Sequence, residues 1–167
     1  MSAPVLVTFA TRYGSTEEVA QAIAASLRRT GLEVDIRPVR KVSSLEGYGA
    51  VVLGAPLYMF RWHKDALRFL RRRREALEGL PVAVFALGPI HDEEKEWVDV
   101  RAQLDKALAK FPWFNPSSIG IFGGKFDPGK LRLPYSLLPT MRRMPASDIR
   151  DWAAIDAWAA AVASSLK

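Results

Sequence analysis

The chain has 167 residues, 49% of them hydrophobic and 25% charged, a globular composition at a length that suits one domain with a sizeable core. It contains no cysteine, which excludes disulfide bonds, thiolate chemistry and iron–sulfur ligation, and no apolar run approaches the roughly 20 residues that cross a bilayer. The formal net charge of +6 favours anionic partners such as phospholipid headgroups or a carboxylate-bearing substrate.

The first predicted elements are a strand over 5–10 and a helix over 17–29. The strand is an apolar run rich in β-branched residues, and the helix repeats apolar residues every three or four positions. Because this strand starts so near Met1, we expect no signal peptide and a cytoplasmic protein. We expect one domain over 1–167 and no metal site.

The turn between this strand and helix is Thr11-Arg12-Tyr13-Gly14-Ser15-Thr16. The first backbone N–H groups of a helix have no intrahelical partner, so a turn at this place can bind an anion. Ser15 or Thr16 can cap the helix, Gly14 permits close approach of a ligand, and the Thr11 and Thr16 hydroxyls can donate to phosphate oxygens. A capped turn without a ligand is the alternative.

The rest of the chain alternates strands with helices. The predicted strands are 32–37, 50–54, 81–88 and 118–123, and the predicted helices are 61–77, 94–111 and 148–166. The strand at 32–37 alternates apolar with charged residues, as an edge strand does, whereas the others are continuously apolar. This order predicts an open parallel sheet with helices on both faces.

The turn at 11–16 resembles the phosphate loop of flavodoxins, T/S-x-T-G-x-T, with Tyr13 where that family has a small hydroxyl residue. The resemblance implies a flavodoxin-like α/β fold with a five-stranded parallel sheet of order 2-1-3-4-5 and FMN as the cofactor. The implied phosphate-binding residues are Thr11, Arg12, Tyr13, Gly14, Ser15 and Thr16, with Arg12 contributing if its side chain folds inward.

Apolar and aromatic residues are concentrated after the third predicted strand, in Gly54-Ala55-Pro56-Leu57-Tyr58-Met59-Phe60-Arg61-Trp62. Such residues are costly in an exposed loop unless something flat covers them. The equivalent loop of flavodoxins lines the flavin ring. The resemblance therefore implies that the ring is lined by Ala55, Pro56, Leu57, Tyr58, Met59 and Phe60. Packing of Tyr58, Phe60 and Trp62 under the next helix is the alternative, favoured for Trp62.

The loop after the fourth predicted strand is expected on the other side of the ring, through Gly88, Pro89, Ile90 and His91. Flavodoxins commonly place an aromatic residue here, and this chain has none before Trp97. We therefore expect one flavin face to be open to a substrate. His91 can donate to the flavin or act on a substrate proton, although a lone loop histidine is more often solvated.

A long insertion at about 124–147 is apolar and basic rather than polar. Connections longer than about 12–15 residues are usually functional or disordered. This insertion, with the motifs TRYGST, GAPLYMFRW and SDIRDW, resembles the quinone-dependent protoporphyrinogen IX dehydrogenases. That resemblance implies a planar anionic substrate and a quinone acceptor.

The insertion is predicted to form an apolar surface rimmed by cations. Its members are Leu131, Leu133, Leu137, Leu138, Met141 and Met144, with Lys130, Arg132, Arg142 and Arg143. This surface could face a porphyrin or lie on the inner face of the cell membrane, with the cations meeting propionates or lipid phosphates. Equally, it could be a lid over the sheet edge or a homodimer contact.

Three functions remain open from the sequence. The first is an FMN oxidoreductase acting on a protoporphyrinogen-like donor. The second is a diffusible electron carrier without its own substrate, and the third is a partner-binding domain with an empty crevice. Nucleic acid is not expected as a partner, because the arginine run at 71–74 passes around a helix as a solvated face does. No catalytic acid or base is assigned, since a flavin supplies redox chemistry itself.

Overall fold

The computed structural model describes residues 3–58, 61–130 and 137–166, with the side chain of Met141 outside the description. The predicted ring contacts of Met59 and Phe60, and the predicted surface residues Leu131, Arg132 and Leu133, lie outside the described residues. In chain order the elements are β1 Val5–Phe9, α1 Ser15–Arg29, β2 Val34–Pro38, a 3-10 turn Val39–Lys41, β3 Ala50–Tyr58, β4 Arg61–Trp62, α2 Lys64–Arg72, α3 Arg74–Glu78, β5 Val82–Leu87, α4 Glu94–Leu108, β6 Ser118–Phe122, β7 Lys125–Phe126, a 3-10 turn Pro128–Lys130, α5 Pro139–Arg142, β8 Ser147–Asp148 and α6 Trp152–Leu166.

The main sheet has the order β2-β1-β3-β5-β6, and all of these pairings are parallel. Counted by the principal strands alone, this is the predicted order 2-1-3-4-5, which is confirmed. Parallel strands place their carboxyl ends at one edge, and the order reverses direction between β1 and β3. The connections after β1 and β3 therefore part at this edge and leave a crevice.

The two faces of the sheet are covered by different helices, as predicted. Apolar strand residues pack against α1 and α6 on one face and against α2 and α4 on the other. The fully buried side chains that these helices contribute include Ile23, Leu27, Ile155, Leu70 and Leu104. Successive residues of β1 belong to opposite cores, since Leu6 joins one cluster and Val7 the other.

β3 continues to Tyr58 instead of ending at Gly54, so residues 55–58 are strand and not the predicted loop. The Gly54 carbonyl accepts from the Ala10 amide at 3.0 Å, and the Pro56 carbonyl accepts from the His63 amide at 3.1 Å. Residues two apart in a strand direct their backbone N–H and C=O groups to the same side of the strand. For Gly54 and Pro56 this is the side of β1, which has already ended at Phe9. Pro56 therefore interrupts no hydrogen bond between β1 and β3, and β4 pairs antiparallel with β3 beyond it.

Two predicted helices begin later than expected, and the helix predicted over 94–111 ends at Leu108. The helix predicted over 61–77 is divided into α2 and α3 at Arg73, whose guanidinium donates to the Val42 carbonyl at 2.9 Å. The last helix begins at Trp152 rather than at Asp148, because Asp148 pairs with Lys125 between β8 and β7. Asp151 then accepts from the Ala154 amide at 3.0 Å, as a helix-capping side chain does.

A search of the described helices for a stretch long and apolar enough to span a membrane finds none.

Candidate functional site

The turn after β1 has the backbone shape of an anion site. Gly14 lies at the N-cap of α1 with φ of 93°, a left-handed conformation that favours glycine. Its amide donates to the Thr11 hydroxyl oxygen at 2.9 Å. The prediction that Ser15 or Thr16 caps the helix is wrong, because α1 begins at Ser15 and no side chain caps it. The first-turn amides are thereby left for water or a ligand.

Thr16 carries a further unmet hydrogen bond in this turn. Its side chain is fully buried, and its hydroxyl has no hydrogen-bond partner among the described residues. A buried hydroxyl without a partner costs free energy, on the order of 1–3 kcal/mol. An anion oxygen seated at the start of α1 would satisfy it. The Thr11 hydroxyl accepts from Gly14 and still has its own hydrogen to donate.

Arg12, Tyr13 and Tyr58 form a cluster above the turn. The Arg12 Nε donates to the Tyr13 hydroxyl at 3.0 Å, and the guanidinium carbon lies 5.6 Å and 5.3 Å from the Tyr13 and Tyr58 ring centroids. The two rings meet edge to face with centroids 5.9 Å apart. Arg12 therefore lies against aromatic faces, where it brings a positive charge to the crevice.

The end of β3 supplies only part of the predicted ring lining. Pro56, Leu57 and Tyr58 reach the crevice. Ala55 is fully buried, and its carbonyl accepts from the Trp62 indole N–H at 3.0 Å. Trp62 is itself buried, so it packs in the core as the alternative interpretation favoured.

Gly88 and Ile90 reach the crevice from the loop after β5, whereas Pro89 and His91 do not line it. The Pro89 carbonyl accepts from the Gly124 amide at 2.6 Å. His91 Nδ1 lies 3.2 Å from Glu96 Oε2, and Glu96 Oε1 accepts from the Ile90 amide at 2.7 Å. Glu96 therefore holds this loop from the first turn of α4 and draws the imidazole toward itself.

These segments enclose one cavity of about 390 Å³ at the carboxyl edge of the sheet. From the predicted site it is lined by Arg12, Tyr13, Ser15, Pro56, Leu57, Tyr58, Gly88 and Ile90. Thr11, Gly14 and Thr16 belong to the same turn as Arg12, Tyr13 and Ser15 but do not line the cavity. No aromatic residue between β5 and α4 lines it, and the open flavin face stays a prediction.

The other twelve residues that line the cavity were not among the predicted cofactor contacts, although Lys130 and Met144 were predicted as part of the insertion surface. They are Glu18 of α1, Leu87 of β5, Glu96, Asp99, Val100 and Gln103 of α4, and Gly124, Lys125, Phe126, Asp127, Lys130 and Met144 of the insertion. The α4 residues recur at helical spacing, a signal that could have identified a polar face beside the core stripe. The insertion was named as a possible substrate surface, but its fold over the crevice depends on the β7–β8 pairing, which no local pattern reveals.

Comparison with known proteins places this geometry in a family. The Flavodoxin domain family model matches residues 6–135. Protoporphyrinogen IX dehydrogenase (quinone) of Escherichia coli strain K12 is 25% identical over 122 residues, which cover 71% of this chain and 67% of that protein. The family match, together with the fit of the turn to a phosphate group, indicates FMN as the cofactor.

Solved structures share the fold across nearly the whole chain. Oxidised flavodoxin 2 of Bacillus cereus has a TM-score of 0.61 at 20% identity, covering 98% of this chain and 99% of that one. The rubredoxin:oxygen oxidoreductase of Desulfovibrio gigas has a TM-score of 0.57 at 15% identity. The latter match covers 99% of this chain but only 37% of that protein, so this chain corresponds to little more than a third of its length.

His63 is a partly buried titratable group at the start of α2. It is the N-cap of that helix, where Nδ1 accepts from the Asp65 amide at 3.1 Å, and 15% of its side chain is exposed. Burial lowers the pKa of His63 from its ordinary 6.5, with the positive charges of Arg12, Arg40 and Lys64 adding to the effect and Asp65 opposing it. The neutral imidazole is the form that the fold prefers.

We expect His63 to make the protein less stable as the pH falls below about 6.5. Its pKa is lower in the folded than in the unfolded chain, so the unfolded chain binds the proton first. This contribution is complete above the unfolded pKa and is lost as the pH falls toward the folded pKa, with a slope of at most about 1.4 kcal/mol per pH unit. His63→Asn keeps a capping acceptor but cannot titrate.

The measurement is the unfolding midpoint in urea between pH 7.5 and 5.5 for the parent and His63→Asn. The parent should lose more stability than the variant over this range. Parallel curves would show that burial of His63 does not shift its titration.

Proposed function

The chain belongs to the Flavodoxin domain family, and we propose on that premise that it is an FMN-dependent oxidoreductase. Its proposed donor is a planar, apolar molecule carrying carboxylates, of the protoporphyrinogen type, and its proposed acceptor is a quinone. The main support for this proposal is that residues of the insertion line the same cavity as the phosphate turn. They form its second wall. A cofactor cleft with such a wall offers a place for a second molecule, which a plain electron carrier does not need.

The residues around the turn suit the phosphate of FMN. The uncapped amides at Ser15 and Thr16 and the hydroxyls of Thr11 and Thr16 would hold it, and the left-handed Gly14 keeps the backbone clear. Tyr58 and the backbone at 56–57 would line the ring. When bound, FMN accepts electrons from a donor and returns them to an acceptor.

The second wall suits a donor that is both apolar and anionic. Phe126 is buried and Met144 half-buried, and both line the cavity beside the ammonium groups of Lys125 and Lys130. Asp99 and Asp127 also line the cavity, so a bound carboxylate would be attracted by the two lysines and repelled by these acids. In each proposed catalytic cycle the donor loses two electrons and two protons, and the quinone gains them.

Exposed residues within 137–143 support the proposal that the acceptor is dissolved in a membrane. Leu137 and Leu138 are 71% and 44% exposed, and Arg142 and Arg143 are exposed near them in the chain. Apolar side chains beside cations are the composition that attaches peripheral proteins to anionic lipid surfaces. The proposed location is therefore the membrane surface, next to the bilayer in which quinones are dissolved.

The first test is the visible spectrum of the purified protein mixed with FMN and separated from free flavin, followed by an anaerobic assay of protoporphyrinogen with menadione. The proposal predicts a bound flavin and turnover that depends on the quinone. Bound flavin without turnover would indicate an electron carrier. A colourless protein would contradict flavin binding and leave a partner-binding domain.

A second prediction concerns Lys125 and Lys130. Replacing either lysine by glutamine should raise KM for the porphyrinogen about threefold to tenfold. This range corresponds to the loss of one exposed charge interaction, which contributes up to about 1 kcal/mol or slightly more. Because neither lysine lies in the phosphate turn, FMN affinity should change little. Lys110→Gln is the control, since Lys110 lies beyond the end of α4 and outside the cavity lining. If KM for Lys125→Gln and Lys130→Gln equals KM for the Lys110→Gln control, the assignment of this wall to the donor is contradicted.

A further inference from the structure

Arg150 is a nearly buried charge that the proposed site does not use. Only 4% of its side chain is exposed. It lies between β8, at the end of the insertion, and α6, and its guanidinium carbon is 4.8 Å from the centroid of the Trp152 ring. A buried guanidinium needs partners for its donors, and this one finds them on two separate parts of the chain.

The first set of partners is on the insertion. Arg150 Nη2 donates to Asp148 Oδ2 at 2.8 Å, and Nε donates to Asp148 Oδ1 at 2.9 Å. This is a two-point pairing of guanidinium with carboxylate, which fixes orientation as well as charge. It lowers the pKa of Asp148 and raises that of Arg150. The β8 strand is thereby tied to the arginine.

The second set of partners is on the first turn of α1. Arg150 Nη1 lies 3.1 Å from Glu18 Oε2 and 3.5 Å from the Ser15 carbonyl oxygen. Ser15 and Glu18 both line the cavity. Arg150 therefore contacts the same turn of α1 whose amides are proposed to hold the phosphate. It also neutralises Glu18, whose carboxylate would otherwise repel a dianion.

A backbone connection completes the link on the insertion side. The Ile149 amide donates to the Gly124 carbonyl at 3.1 Å, and the Gly124 amide donates to the Pro89 carbonyl at 2.6 Å. Asp148 pairs with Lys125 in the β7–β8 ladder, next to Phe126. The residues that Arg150 fixes through Asp148 are thus continuous with the second wall of the cavity.

We infer that Arg150 is a positioning residue that couples the phosphate turn to the β7–β8 pair, so that FMN binding and docking of this pair beside the crevice favour each other. This inference rests on the proposed FMN site. If docking strengthens FMN binding by a given factor, FMN must strengthen docking by the same factor, because coupling free energies are reciprocal.

Asp148→Asn is the decisive variant because coupling and direct electrostatics predict opposite signs. Asp148 does not line the cavity, and removing its negative charge would by electrostatics alone strengthen the binding of an anion. Coupling predicts the reverse, because the grip of Arg150 on the insertion is weakened. We expect the Kd for FMN to rise about fivefold to tenfold, the lower part of the usual range for coupled sites.

The measurements are the FMN Kd from flavin fluorescence and amide hydrogen exchange with and without FMN. In the parent, FMN should slow exchange at 124–126 and 147–149, and in Asp148→Asn this slowing should largely disappear. Arg150→Lys should fall between the parent and Arg150→Gln, since it keeps the charge and loses the two-point pairing. Asp105→Asn is the matched control, because Asp105 pairs with Arg101 on the exposed side of α4.

Exchange in the flavin-free protein separates this inference from the proposed function. Without FMN, Asp148→Asn should already exchange faster than the parent at 147–149 and in the first turn of α1. If the parent binds no FMN but this pattern appears, the proposed function fails and the link between the two segments stands. An unchanged or tighter FMN Kd in Asp148→Asn, or exchange identical to the parent, would overturn the inference.

Discussion

The hydrogen bond from the Ala10 amide to the Gly54 carbonyl is the last between β1 and β3, and the site depends on where that pairing stops. Beyond it the chain after β1 turns into α1, while β3 continues to Tyr58 and pairs with β4. The two segments diverge at the carboxyl edge of the sheet, and a crevice forms between them. Gly54 is also the point where β3 passes the Phe85 ring, which leaves no room for a side chain.

The charge around the crevice is divided rather than uniformly positive. The cations that line the cavity are Arg12, Lys125 and Lys130, and α1 begins beside it without a side-chain cap. The carboxylates of Glu18, Glu96, Asp99 and Asp127 line the same cavity. Glu18 is paired by Arg150, and Glu96 is engaged by the loop after β5. The overall charge of +6 is therefore a poor guide to the site, where individual pairings decide which positions accept an anion.

The sequence predicted the parts that local periodicity and turn chemistry determine. Continuous apolar runs located the buried strands, and Gly14 with its neighbouring hydroxyls located the turn that precedes α1. It failed where distant segments decide the outcome: Pro56 was assigned to a loop because its tolerance in β3 depends on where β1 ends. Arg150 carries no local signal for its role, because its partners Ser15 and Glu18 lie at the other end of the chain.

The central claim is that the start of α1 holds the phosphate of FMN, and the most direct measurement compares the binding of FMN and riboflavin, which differ only in that phosphate. Charge-assisted hydrogen bonds contribute roughly 1.5–3 kcal/mol each, so several of them at the helix start predict that riboflavin binds at least about a hundredfold more weakly. Equal affinity for the two flavins would contradict the account, because the turn at 11–16 would then contribute nothing to cofactor binding.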